Sequence, residues 1–102
     1  MQRSLLVFLR IFVPLFLGLS ACAGNPPVQE MSDARQAIAA AEEADAGELA
    51  PQSLNEARRY LDEAQRQLQD EAFEPARMNA VRARNRAVRA IEVSQQVAQR
   101  TN

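Results

Sequence analysis

The side chains with chemistry to offer are few, and they fall in two places. Cys22 is the only cysteine of the 102 residues, a sulfur nucleophile that directly follows the apolar run ending Leu19-Ser20-Ala21. From Pro75 onward, Arg77, Arg82, Arg84, Arg86, Arg89 and Arg100 stand against Glu92 alone. Guanidinium forks of this kind suit phosphate and carboxylate. Nothing else assembles into a catalytic set. Histidine is absent, and Ser32, Ser53 and Ser94 lack both a partner base and a G-x-S-x-G context. Glu42 and Glu43 are adjacent, so on a helix they point about 100° apart and cannot share a proton. No oxygen-ligand loop and no glycine-rich phosphate loop occurs. The expectation is a protein that is not an enzyme, with no catalytic residue, metal, cofactor or small-molecule substrate.

The segment before Cys22 has the layout of a secretory signal: Arg3 and Arg10 supply positive charge, Ile11 to Leu19 is apolar, and the small residues Ser20 and Ala21 follow. A spanning helix needs about 20 mostly apolar residues, and Arg10 and Pro14 interrupt this segment too early. Residues 1–21 therefore read as a signal peptide. A lone thiol would be out of place in an oxidising compartment unless it were modified.

Leu19-Ser20-Ala21-Cys22 resembles the lipobox of bacterial lipoproteins. The resemblance implies cleavage between Ala21 and Cys22, with fatty acids of the palmitate class on the Cys22 sulfur and on its new amino terminus. Two or three acyl chains anchor stably where one is marginal, at ~0.8 kcal/mol per buried methylene. Alanine rather than aspartate at residue 23 implies, by the same resemblance, the outer membrane, with the domain facing the periplasm.

Loss of Arg3 and Arg10 with the signal leaves ten basic against thirteen acidic residues, a formal −3. The remaining 81 residues make one small domain. They are rich in alanine, arginine, glutamate and glutamine, with no run of period-two alternation, so the fold class is all-α. Residues 22–27 form an acylated cysteine and short tether, and 28–102 a helical domain. The five residues Ala23 to Pro27 reach ~17 Å at most, which keeps the domain at the membrane surface.

Three helices are expected, as a short bundle or as an antiparallel hairpin preceded by an N-terminal helix. The first runs from about Val28 to Ala46, capped by Asn25 or Ser32 and stopped by Gly47. Its apolar stripe Met31, Ala34, Ile38 and Ala41 is thin, so it should be the least firmly held and open to exchange with a partner's helix or a second copy. The second runs from Pro51 or Ser53 to Glu71. Ser53 to Glu56 reads as a capping box, and Leu54, Ala57, Leu61, Ala64 and Leu68 form its stripe, with Tyr60 at the edge. Its outer face carries the four-residue pairs Arg59–Glu63, Asp62–Arg66 and Arg66–Asp70. The third runs from Pro75 to about Gln99, with Phe73 and Met78 as a hydrophobic staple. Ala76, Ala80, Ala83, Ala87, Ala90, Ser94 and Val97 repeat by four and three, widened by Val81, Val88 and Ile91.

Arg77 and Arg84 flank that stripe and should snorkel along it, while Arg82, Arg86, Arg89 and Arg100 fall opposite the alanines. They read either as a solvated face balanced by the acidic helices or as a contact surface for an anionic partner, such as lipid headgroups or an acidic protein. Nucleic acid is not expected, because no stacking aromatics accompany the arginines.

The run Ala50-Pro51-Gln52-Ser53-Leu54, the stripe Ala57, Leu61, Ala64, Leu68, and Phe73-Glu74-Pro75-Ala76-Arg77 leading to Ala80 and Ala83 resemble a family of small bacterial envelope lipoproteins. That family has an all-helical domain of unknown function, also found joined to OmpA-like domains. Phe73 to Arg77 is similar as well to the inter-helix turn of tetratricopeptide hairpins, although one hairpin is too few to build a solenoid. The resemblance implies an outer-membrane-anchored interaction or structural module of the cell envelope, whose partners are the membrane and another envelope protein or itself.

Overall fold

The computed structural model describes residues 24–101. Four helices follow in order: α1 Val28–Glu43, α2 Ala46–Leu49, α3 Pro51–Gln69 and α4 Phe73–Thr101. No strand occurs among the described residues, and the class is all-α.

Alanine holds the helices together. Ala76, Ala80, Ala83, Ala87 and Ala90 of α4 are completely buried, so neighbouring backbones approach closely along one seam. Near the far end, Ile38 and Ala41 of α1, Ala46 of α2, Leu54 and Ala57 of α3 and Ala87 and Ala90 of α4 form one cluster. At the near end Met31, Ala64 and Ala80 form a second. These neighbours make α1 parallel to α4, with α3 antiparallel to both. Ser94 continues the seam, its hydroxyl donating to the Ala90 carbonyl at 2.8 Å. Among the described residues, Met31 and Leu54 are the large apolar side chains buried almost to completion, joined there by Pro27.

The stripe expected on α1 is buried as read. Met31 fills the near cluster, and Glu30 pairs with Arg77 of α4 at 3.2 Å. Val81 and Val88, expected to widen the α4 stripe, are 36% and 42% exposed instead. Each follows a seam alanine by one residue, about 100° around the helix, and with Met78 they face outward.

Several helix ends differ from expectation. No side chain caps α1; Pro27 stands at its N-cap, and neither Asn25 nor Ser32 does. The helix stops before Gly47, at Asp45, which is left-handed (φ 58°) and donates its N–H to the Glu42 carbonyl. Gly47 then lies inside the single turn of α2. Helix α3 begins at Pro51 after Ala50 with no side-chain cap, so Ser53 sits within the first turn and the capping box does not form.

Between α3 and α4, Glu71 is left-handed (φ 59°). The Ala72 N–H reaches Gln67 O at 2.8 Å and the Glu71 N–H reaches Leu68 O at 3.1 Å, the paired bonds of a Schellman ending. Ala72 also accepts from the Ala76 N–H at 3.0 Å, so α4 starts at Phe73 rather than Pro75. Pro75 is tolerated there because first-turn amides have no intrahelical partner. Met78 is 54% exposed, and the staple with Phe73 is absent. On α3 the close ion pair is Arg66–Glu63 at 2.6 Å rather than the four-residue pairs.

Candidate functional site

Ala21 and Cys22, the expected cleavage and acylation positions, lie outside the described residues. The chain just after them is bound to the domain. A Cβ built on Gly24 would stand 3.3 Å from Cδ2 of the Phe73 ring, tighter than ordinary contact, so a side chain there would push the ring aside. Pro27 is fully buried. Arg77, near the start of α4 and 52 residues from Asn25, donates Nη2 to the Asn25 carbonyl at 3.0 Å. Its Nε donates to Glu30 at 3.2 Å and its Nη1 to Glu74 at 2.5 Å. Arg77 therefore ties the tether, α1 and the start of α4 together instead of snorkelling along the alanine stripe. Two residues of chain reach at most about 7 Å, and that is all that separates Cys22 from Gly24 in the sequence.

Arg82, Arg86, Arg89 and Arg100, the arginines expected opposite the alanines, are all exposed. Arg82, Arg86 and Arg89 follow four-and-three spacing along the flank of α4 that borders α3. There they line an open groove of about 340 Å³ together with Asn85 and, from α3, Tyr60. Arg86 meets Glu56 of α3 at 3.3 Å, a contact a helix face pointing fully away from the core could not make. Arg89 is 3.8 Å from Glu92. Buried Asn79 holds Arg82: its amide donates to Gln67 of α3 at 2.8 Å, and its carbonyl accepts from Arg82 Nη1 at 3.2 Å. Arg100 is not brought to this groove. It is exposed in the last turn, eleven residues or about 16 Å along the axis from Arg89.

Sequence reasoning missed Tyr60, Asn85 and Asn79 as members of the arrangement. Tyr60 carried a signal, since it borders the α3 stripe on the side that α4 covers. Asn79 shares the helical face of Ala76, Ala80 and Ala83, and a polar residue on an apolar face points to a bond across the interface.

A second hollow, of about 580 Å³, runs over α3 past Gln52, Asn55, Glu56, Arg58, Arg59 and Asp62. It mixes both charge signs and so favours neither. Farther along α3, the hydrogen bond and charge of Glu63 raise the pKa of Arg66 above its already high value. No cluster able to hold a metal ion occurs among the described residues. None of the described helices is long and apolar enough to cross a membrane.

Comparison with curated proteins and with solved structures finds no match. A family match covers residues 29–102, from the first turn of α1 through the whole alanine seam and both turns. The groove, the seam and the Arg77 tie to Glu30 all fall inside that span, and by it the chain belongs to the family described as Domain of unknown function (DUF4398).

Proposed function

We propose that this protein is a lipoprotein acylated at Cys22, whose helical domain serves as an interaction or structural module of the cell envelope. Ala23 favours the outer membrane and a periplasm-facing domain. The observation that carries the reading is the order Leu19-Ser20-Ala21-Cys22, followed almost at once by backbone tied to the fold at Asn25. So short a link fits a domain held against a bilayer. Acyl chains at Cys22 would sit beside the Phe73 end of the bundle, with the α1–α3 connection and the end of α4 directed away. The domain's outward faces, including Met78, Val81 and Val88 of α4, are then available to a neighbouring envelope protein or a second copy.

The test is a Cys22→Ser variant expressed beside the parent chain and labelled with an alkyne-bearing fatty acid. The parent is expected to take up label and sediment with membranes, and the variant to do neither. Equal labelling of both chains would remove the proposal.

A second reading is favoured by a separate observation. Arg82, Arg86 and Arg89 converge on Tyr60, on a helix with six arginines against Glu74 and Glu92, so α4 would engage an anionic partner. Binding of that kind weakens as salt shortens the screening length, about 10 Å at 0.1 M.

A further inference from the structure

We infer that the α3–α4 groove is a binding site for a single phosphate group, gripped by Arg82, Arg86 and Arg89 with Tyr60 and Asn85 at its rim. The inference rests on the reading of α4 as an anion-binding helix. It specifies the place and the chemistry.

Three observations carry it. Arg82, Arg86 and Arg89 emerge on successive turns of one flank and border the same hollow as Tyr60. Each guanidinium has five N–H donors, yet among the described residues each engages one partner: Asn79 for Arg82, Glu56 for Arg86, Glu92 for Arg89. Their remaining donors are open to solvent, which a ligand can displace. Finally, Arg82 is oriented before any ligand arrives, through the part-buried Gln67–Asn79–Arg82 relay. Such preorganisation reduces what binding must order.

The number and arrangement of donors select the ligand class. A carboxylate presents two oxygens in one plane, which a single fork satisfies. Three forks around a hollow match the three peripheral oxygens of a phosphate monoester, which carries about −1.5 to −2 at neutral pH. The phenol of Tyr60 and the amide of Asn85 add neutral donors. Two carboxylates, Glu56 and Glu92, pair with Arg86 and Arg89 and act as built-in competitors. Glu56 is the more enclosed of the two.

The phosphate source is either a lipid headgroup or a soluble ester, and the experiment separates them. The full chain is placed in phosphatidylcholine nanodiscs, and the Tyr60, Asn85 and arginine Nε resonances are followed during titration with inorganic phosphate or glycerol phosphate. Chloride at matched ionic strength is the control. A parallel sample uses discs containing phosphatidic acid, whose headgroup is a phosphate monoester. Saturable shifts with the soluble phosphates, not with chloride, support the groove with a soluble ligand. Shifts that appear in phosphatidic acid discs alone support it with a headgroup.

In either case Arg82→Gln, Arg86→Gln and Arg89→Gln should each weaken binding roughly three- to tenfold. Glu56→Gln should tighten it about threefold by freeing Arg86. Resonances unmoved by every phosphate source, or moved equally in the triple arginine variant, overturn the site. Retained association of that triple variant with anionic discs would leave the broader anionic reading of α4 standing without the groove.

Discussion

Replacing Arg77 with glutamine should loosen the chain next to the proposed anchor without unfolding the bundle. Arg77 makes one bond across to Glu30, one to the Asn25 carbonyl and one to its own helix at Glu74. Only the first two fasten the tether and α1. Both partners reach water once released, Glu30 being about one-third exposed, so no buried group is stranded. Screening also limits a part-exposed ion pair to about 1 kcal/mol. The bond to the carbonyl adds about 1 kcal/mol. Together the two give roughly 2 kcal/mol, which is about a thirtyfold change in a local opening equilibrium. Amide hydrogen exchange of the full chain reads it directly. The amides of Val28 and Met31, which donate to Pro26 and Pro27, should exchange about thirtyfold faster, while those of Ala83 and Ala87 change little. Arg77→Lys should recover only part of the protection, since an ammonium lacks the fork that spans two acceptors. Unchanged exchange at Val28 and Met31 would refute the tie. Uniform acceleration through all helices would show instead that Arg77 supports the whole bundle.

Three further changes probe the packing and the turn. Leu54→Ala removes a large apolar side chain that is 1% exposed and should cost about 3 kcal/mol in urea unfolding; a loss below about 1 kcal/mol would contradict its burial. Ala83→Leu forces bulk into a fully closed helix contact and should destabilise by about 1–3 kcal/mol or more; a neutral result would mean that α4 is not packed backbone-close. Glu71→Gly relieves a left-handed glutamate and should raise stability by about 0.5–1 kcal/mol, read as a higher urea midpoint. A fall in that midpoint would contradict the turn.

How much of this was legible in the sequence depended on whether the signal was local. The four-and-three spacing of Ala76 through Ser94 and of Leu54 through Ala64 was enough to identify the buried faces, because small and apolar residues repeat there without interruption. The turns were harder. Glycine is the usual marker of a left-handed ending, but here Asp45 and Glu71 adopt that conformation while Gly47 does not. A reading keyed to glycine moves the end of α1 and misses α2. The fastening of residues 24–27 to the domain could not be read, since Asn25 and Arg77 meet only through the tertiary fold.

The candidate groove sits between these extremes. Its three arginines were evident as a set, but a modest angle around α4 decides whether they face solvent or border α3. That angle is set by which alanines the neighbours choose. The cross-helix pair Arg86–Glu56 and the half-buried Tyr60 fix it, and neither helix alone encodes it. Charge separation between α4 and the acidic remainder of the domain was visible from composition, although its use depends on that geometry.

The central claim is that Cys22 carries the anchor, and intact mass analysis of the protein extracted from its native membranes tests it most directly. The account expects a chain that begins at Cys22 and is heavier than its sequence by two or three fatty acyl groups, with no free thiol. A chain that still begins at Met1 with an unmodified cysteine would contradict it.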